Sequence, residues 1–374
     1  MLDRRDFLTA ALLVPPFLRQ AASSGVLLGT VPLGPLGGRT PPFGRLLGDG
    51  LDARLFTDLS PLSPGADALV TPNDRFFVRT AFPATLQRTA SWTIRAGGLV
   101  EAPLEMDLRT LEPLVARGGR YLIECSGNVD QSNYGLMSTA DWDGVPLPAL
   151  LDRLRPTAAH RVLVSGVDEM ASRSRTSVPG ASWIFAPSDL DRALLATRMN
   201  GVSLPPDHGA PVRLIVPGWY GCACVKWVDR IDLVPENAPA TSQMEEFAAR
   251  THQSPAARLA RDFTPAIIDT AAMPVRVEKW QVGGRLEYRI VGIVWGGSKP
   301  TNALSIRFKA GQPWGRVDDC PLPASTLTWS MWSHTWRPDV PGRYQIVLRV
   351  DDPTIRTRRL DIFFYVREIQ IDEV

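Results

Sequence analysis

The chain has 374 residues, 44% of them hydrophobic and 21% charged, and a formal net charge of +2. That length holds two ordinary domains with a core in each, and the near-neutral balance argues against a nucleic-acid surface or a charged disordered tail. Thirty-three prolines and thirty glycines favour a loop-rich β or α+β protein over a helical bundle.

The chain opens MLDRRDFLTAALLVPPFL, with Arg4-Arg5, Phe7, Leu8 and a modest apolar run over 8–18. That order is similar to a twin-arginine export signal, so residues 1–23 are expected to direct the protein out of the cytoplasm, to the periplasm or beyond. The run is too short and proline-broken for a good spanning helix. Ala21-Ala22-Ser23 is a candidate cleavage site, with an uncleaved anchor as the alternative. Residues 24–65 are rich in Gly, Pro and Leu without period and read as an arm or linker, so order is expected to begin near Val70.

Aromatic residues then predict a strand over 75–79, and another is expected over 92–100. Asp107 is placed to N-cap a helix through Arg117, with Leu108, Leu111, Leu114 and Val115 at helical spacing. Next, Tyr121-Leu122-Ile123 form a short apolar strand that stops at Glu124-Cys125 and enters the turn Ser126-Gly127-Asn128. A thiol at the end of a buried strand suits a rigidly held soft metal ligand, although most lone cysteines are inert and buried. A short helix is expected over 146–154, and a buried strand over 161–168 ending at Asp168.

Residues 200–234 carry DHG, a PVR strand, VPG, a glycine-bearing turn and VKW. Backbone N–H groups on such a turn, beside Lys226 and Arg213, make a good anion cradle. Cys222 and Cys224 on this turn read as packing or backbone positions. Four cysteines without CxxC or CxxCH form no disulfide framework and indicate neither zinc nor covalent haem. Residues 235–255 read as a connector. From Phe263 onward, short strands about a dozen residues apart suggest an immunoglobulin-like sandwich, its tryptophans packed between sheets.

Several of these segments (FFVR; ECSGN with STADWDGVPL; DHG through VKW; GIVWGG and WSMWSHTW) resemble the sulfite oxidase family of molybdenum enzymes, in the same order over roughly 70–370. The resemblance implies an α+β molybdopterin-binding domain over 66–250, followed by an all-β immunoglobulin-like dimerisation domain over 260–374. It implies that Cys125 is the protein's direct ligand to molybdenum, one metal per chain in a molybdopterin cofactor. It also implies that Arg79 faces both cofactor and oxyanion substrate within the segment Phe77, Val78, Arg79, Thr80, Ala81. Asp168, His208, Arg213 and the turn Cys224-Val225-Lys226 are implied to contact the pterin and its phosphate.

The sequence departs from the family in four places. Ala81 stands where sulfite-oxidising members commonly carry a histidine. Val129 and Asp130 replace paired arginines, and Phe247 takes the place of a tyrosine. The resemblance implies an exported homodimeric oxidoreductase that transfers an oxygen atom to or from a small-molecule substrate and passes electrons to a c-type cytochrome or membrane partner. A related enzyme reducing S- or N-oxides, and a cofactor-free binding protein that keeps the fold, are the alternatives.

Overall fold

The computed structural model describes residues 25–35, 42–49, 52–65, 69–80, 86, 91–128, 134–167, 181–253, 255–362 and 365–374. The expected signal over 1–23, together with Ala81, Val129, Asp130 and Asp168, lies outside them. No described helix is long and apolar enough to cross a membrane.

The sheet that carries the cysteine strand is organised around Met137–Pro146, which pairs antiparallel with Ala116–Glu124 on one side and Leu194–Met199 on the other. Most of that central strand is buried, on both of its faces, as expected where both faces of a sheet are covered. Arg213–Ile215 pairs onto Leu194–Ala196, so Cys125 and Arg213 belong to one framework. A second sheet runs Ser182–Phe185, His160–Gly166, Val228–Pro235, Thr93–Gly98 and Leu104–Asp107, with a single parallel pairing between Val228–Pro235 and Thr93–Gly98. A third, small sheet of Leu47–Asp49, Asp52–Leu55 and Val78–Arg79 holds Arg79.

The C-terminal part forms two antiparallel sheets. One is Val26–Val31, Ala271–Val282, Arg285–Trp295 and Ser330–Trp336; the other is Gly315–Arg316, Leu304–Arg307, Gly342–Val350, Arg367–Ile371 and Gly34–Pro35. Trp295, Trp329 and Trp332 are fully buried in their core, the packing role expected of them. That core is continuous with the apolar interior around Trp183, Tyr220 and Trp227.

Several expectations need correction. Order begins in the arm, not near Val70: Val26–Val31 pairs with the strand Ala271–Val282, and Gly34–Pro35 pairs with Arg367–Ile371. The helix expected over 107–117 is one turn, Leu108–Leu111, followed by the 3-10 turn Glu112–Leu114. Its cap is as expected, Asp107 accepting the Thr110 N–H at 2.8 Å. Pro113 ends it, because it has no N–H to give to a further turn. The second helix, Leu147–Leu151, is also shorter than expected. The connector over 235–255 contains the helix Ser242–Glu246. The three α-helices among the described residues have four or five residues each, so the described first part of the chain is mostly β and not the α+β mixture expected.

Close approach of strands fixes one glycine. A Cβ on Gly144 would strike the Leu195 carbonyl and sit 2.6 Å from the Ala196 Cα. Gly144→Ala is expected to cost roughly 2–4 kcal/mol by forcing these strands apart, read as a lower unfolding midpoint in a thermal melt.

Candidate active site

Cys125 follows directly on the strand Ala116–Glu124, whose last four residues are buried. Its own N–H donates to the Leu136 carbonyl at 2.9 Å. The chain then turns, with Asn128 N–H donating to the Cys125 carbonyl at 2.9 Å and Gly127 N–H reaching the sulfur at 3.4 Å. The glycine-bearing turn packs against this corner from the other side: Gly221 N–H donates to the Glu124 carbonyl at 2.7 Å. A Cβ on Gly221 would lie only 3.2 Å from that oxygen. Burial pushes the Cys125 thiol pKa up, against the Gly127 N–H and the charges of Arg79 and Arg250, which pull it down.

Glu124 carries a carboxylate with no exposure at all. Arg358 forks onto it with 2.6 Å contacts to both oxygens, Trp295 Nε1 donates at 2.9 Å, and Asn128 Nδ2 donates at 2.9 Å. Burial alone would raise this carboxyl; the Arg358 charge and the three sets of hydrogen bonds outweigh it and hold the pKa below the ordinary value. The Arg358 guanidinium also lies 5.3 Å from the centre of the Tyr220 ring, and Arg250 lies 5.1 Å from the same ring. Arg250 in turn donates to the Ser126 carbonyl, Nε at 2.7 Å. Arginines remote in sequence therefore hold both neighbours of Cys125, Arg358 through the Glu124 side chain and Arg250 through the Ser126 carbonyl.

A cleft of about 760 Å³ opens over the thiol. Cys125, Phe77, Arg79, Thr80, Arg213, Cys224, Val225 and Lys226 line it, joined by Ser126, Trp227, Gln243 and Phe247. Val78 lies behind the wall in a small core with Ala53 and Leu55. His208 abuts the site from behind Arg213, whose guanidinium donates to the His208 carbonyl at 2.9 Å and to the Cys224 carbonyl at 3.1 Å. Lys226 Nζ donates to the Asp207 carbonyl at 2.5 Å. The segments expected to meet thus converge on one cavity, and Cys222 and Cys224 pack there as buried thiols. Burial pushes Cys222 up to about 12 and Cys224 in the same direction.

Sequence reasoning missed Glu124, Arg358, Arg250 and Gln243. Gln243 donates its amide to the Cys222 carbonyl and leaves Oε1 buried without a partner. The acid beside the cysteine was visible, but its partners lie far along the chain. Five buried polar atoms at or beside the cleft find no protein partner: Thr80 Oγ1, Ser126 Oγ, His208 Nδ1, Arg213 Nε and Gln243 Oε1. Donors and acceptors are both represented, the demand of a large polar ligand. Among the described residues no group of three or more His, Cys, Asp or Glu could hold a metal ion by itself.

Residues 80–242 match the family model of the oxidoreductase molybdopterin binding domain. Sulfite oxidase of Gallus gallus is 25% identical over 316 residues, covering 77% of this chain and 67% of that protein. The NADPH nitrate reductase of Beauveria bassiana is 35% identical over 164 residues, which are 39% of this chain and 18% of the reductase. The chain therefore spans about two thirds of the first relative and less than a fifth of the second. The sulfane dehydrogenase SoxCD from Paracoccus pantotrophus shares the fold, with a TM-score of 0.62 at 20% identity over 82% of this chain and 78% of that one.

Two predictions follow from charge burial. Arg358→Met strands a buried carboxylate and should cost about 3–5 kcal/mol, while the double variant Glu124→Met/Arg358→Met should recover part of that loss; urea unfolding of the set checks both. His208 Nε2 lies 3.1 Å from the Asn73 carbonyl and must donate to it. Burial, helped by Lys226 and Arg213 and opposed by Asp207, pushes its pKa down to about 4. The unfolded chain takes a proton below about 6.5 that the folded chain refuses. Stability from this group is therefore complete above about pH 6.5 and declines toward pH 4, by up to about 3 kcal/mol. His208→Gln should flatten that part of the stability profile.

Proposed function

We propose that the chain is a molybdopterin-dependent oxidoreductase of the sulfite oxidase and nitrate reductase type, with molybdenum–molybdopterin as its cofactor, and that it is an exported oxygen-atom-transfer enzyme acting on a small sulfur oxyanion. The single observation that carries this reading is a strand-end thiol, Cys125, sharing one cleft with Arg79, Arg213 and Lys226. The relatives named for sulfite and sulfane chemistry add support.

The five unpartnered polar atoms give the cleft what a pterin needs. The neutral His208 tautomer offers Nδ1 as an acceptor, Arg213 Nε and the Thr80 and Ser126 hydroxyls offer donors, and Gln243 Oε1 is a further acceptor. Lys226, Arg213 and the backbone of Cys224-Val225 suit the cofactor's phosphate. Phe77 and Thr80 shape the wall beside Arg79 with Val78 packed behind them, and Asp168 and Ala81 complete our reading of the cofactor-holding set. Cys125 would be the one protein ligand to the metal, giving up its proton on binding. When bound, the molybdenum centre supplies two-electron redox chemistry and an exchangeable oxygen atom.

Arg79 then receives the anionic substrate, its planar guanidinium matching two oxygens at once. Phe247 presents an apolar face to the same cleft and cannot exchange a proton with the substrate. Electrons leave to an external acceptor such as a c-type cytochrome. The paired Arg4-Arg5 support export. The two C-terminal antiparallel sheets with their shared core support an immunoglobulin-like module for a homodimer. The apolar Phe247, with Val129 and Asp130 standing in place of paired arginines, favours a second reading, reduction of a neutral S- or N-oxide.

Purified protein should contain about one molybdenum per chain, and Cys125→Ala should lose at least about 100-fold of the activity. Arg79→Lys should raise KM for sulfite about 10- to 100-fold with kcat largely kept. Steady-state assays with sulfite and with a neutral sulfoxide separate the readings. An Arg79-independent turnover of the sulfoxide alone would replace the first by the second, and metal-free protein from a cofactor-producing host would sink both.

A further inference from the structure

Two arginines among the described residues are buried as whole residues, Arg213 and Arg367. Arg213 has carbonyl acceptors and faces the cleft described above. Arg367 is 2% exposed, and no carboxylate among the described residues pairs with it. Its guanidinium carbon sits 4.1 Å from the centre of the Tyr134 ring, and its Nε is buried without a hydrogen-bond partner. Tyr134, which also shares a side-chain hydrogen bond with Arg367, offers it no charge, and a desolvated cation with an unpartnered Nε is an expensive arrangement unless an anion completes it. Arg358 shows how the same fold treats a comparable side chain, with a bidentate carboxylate.

Arg367 lines a second cavity, about 890 Å³ in volume, between the N-terminal arm and the C-terminal sheets. The other cation on its wall, Arg276, is already satisfied: it pairs with Glu278 at 2.8 Å and donates to the Leu62 carbonyl at 2.8 Å. Asp58 lines the cavity too, is exposed to solvent, and accepts the Ser60 N–H at 2.9 Å. An acid there disfavours a multiply charged anion such as a polyphosphate. Much of the remaining wall is apolar, including Val31, Leu33, Phe43 and Val275. We propose that this cavity is a binding site for a small organic carboxylate, its carboxyl group on Arg367 and its apolar body against the arm. The lining fits, since small-ligand pockets combine apolar walls with few polar anchors. The proposal does not depend on the reaction at Cys125.

Calorimetric titration of the cofactor-loaded full chain with benzoate tests it, with benzamide and inorganic sulfate as controls. Benzoate should bind saturably, and benzamide and sulfate at least about tenfold more weakly. Arg367→Met should lose at least about tenfold of the benzoate affinity while keeping its molybdenum content. Leu33→Trp, which fills the cavity and leaves Arg367 in place, should lose it as well and covers the case in which Arg367→Met fails to fold. No saturable benzoate binding, equal binding of benzamide or sulfate, or undiminished binding in a folded variant would each overturn the proposal.

Discussion

The ion pair between Glu124 and Arg358 is the constraint on which the site depends. A carboxylate wholly removed from water, one residue before the cysteine, is tolerable only if its charge and lone pairs are met in full. Arg358 and Trp295 meet them from the C-terminal part of the chain, and Asn128 from the turn after the cysteine. Those sheets contribute no residue to the wall of the catalytic cleft, yet the backbone at Cys125 cannot settle without them. Such a pair adds little net stability over a well-packed apolar substitute. What it supplies is a single geometry for the corner that carries the thiol.

The cleft follows a complementary logic. Its cations are aimed by main-chain carbonyls, Arg213 by those of His208 and Cys224 and Lys226 by that of Asp207. Carbonyls orient a charge without neutralising it, so the positive field remains available to an anionic ligand. The polar atoms left unpartnered are held in place by the strands and turns behind them. An arrangement fixed before the ligand arrives spares the ligand the cost of ordering it.

How much of this could be read beforehand depended on the range of the interaction. Local chemistry was legible: the Asp107 cap, the apolar run stopping at Cys125, and the strands after Phe263. The strand expected over 75–79 shrank to Val78–Arg79. Phe76 and Phe77 are both buried and stack at 5.2 Å, and the Phe77 N–H is taken by the Ser138 hydroxyl instead of a neighbouring strand. The arm misled because an edge strand is held mainly by main-chain hydrogen bonds, which any residue except proline can donate. Val26–Val31 is largely exposed, so no alternation marks it. Partners such as Arg358, Arg250 and Gln243 were invisible because nothing near them in the sequence names the group they meet. The resemblance to the sulfite oxidase family gathered the cleft residues that spacing alone could not.

The pairing of Val26–Val31 with Ala271–Val282 has a consequence for the order of assembly. Val26 meets Gln281 and Val31 meets Val277, contacts that span well over half the chain, and loop closure over such separations makes folding slow. A ribosome makes the arm early and its partner strand much later, so the arm must wait unpaired while the intervening sheets form. The Glu124 corner waits as well, since Arg358 emerges later still. The cofactor cleft therefore reaches its final form late in synthesis. Until then the carboxylate beside Cys125 lacks the guanidinium that meets its charge, so the corner that carries the thiol is the last part of the cleft to be fixed.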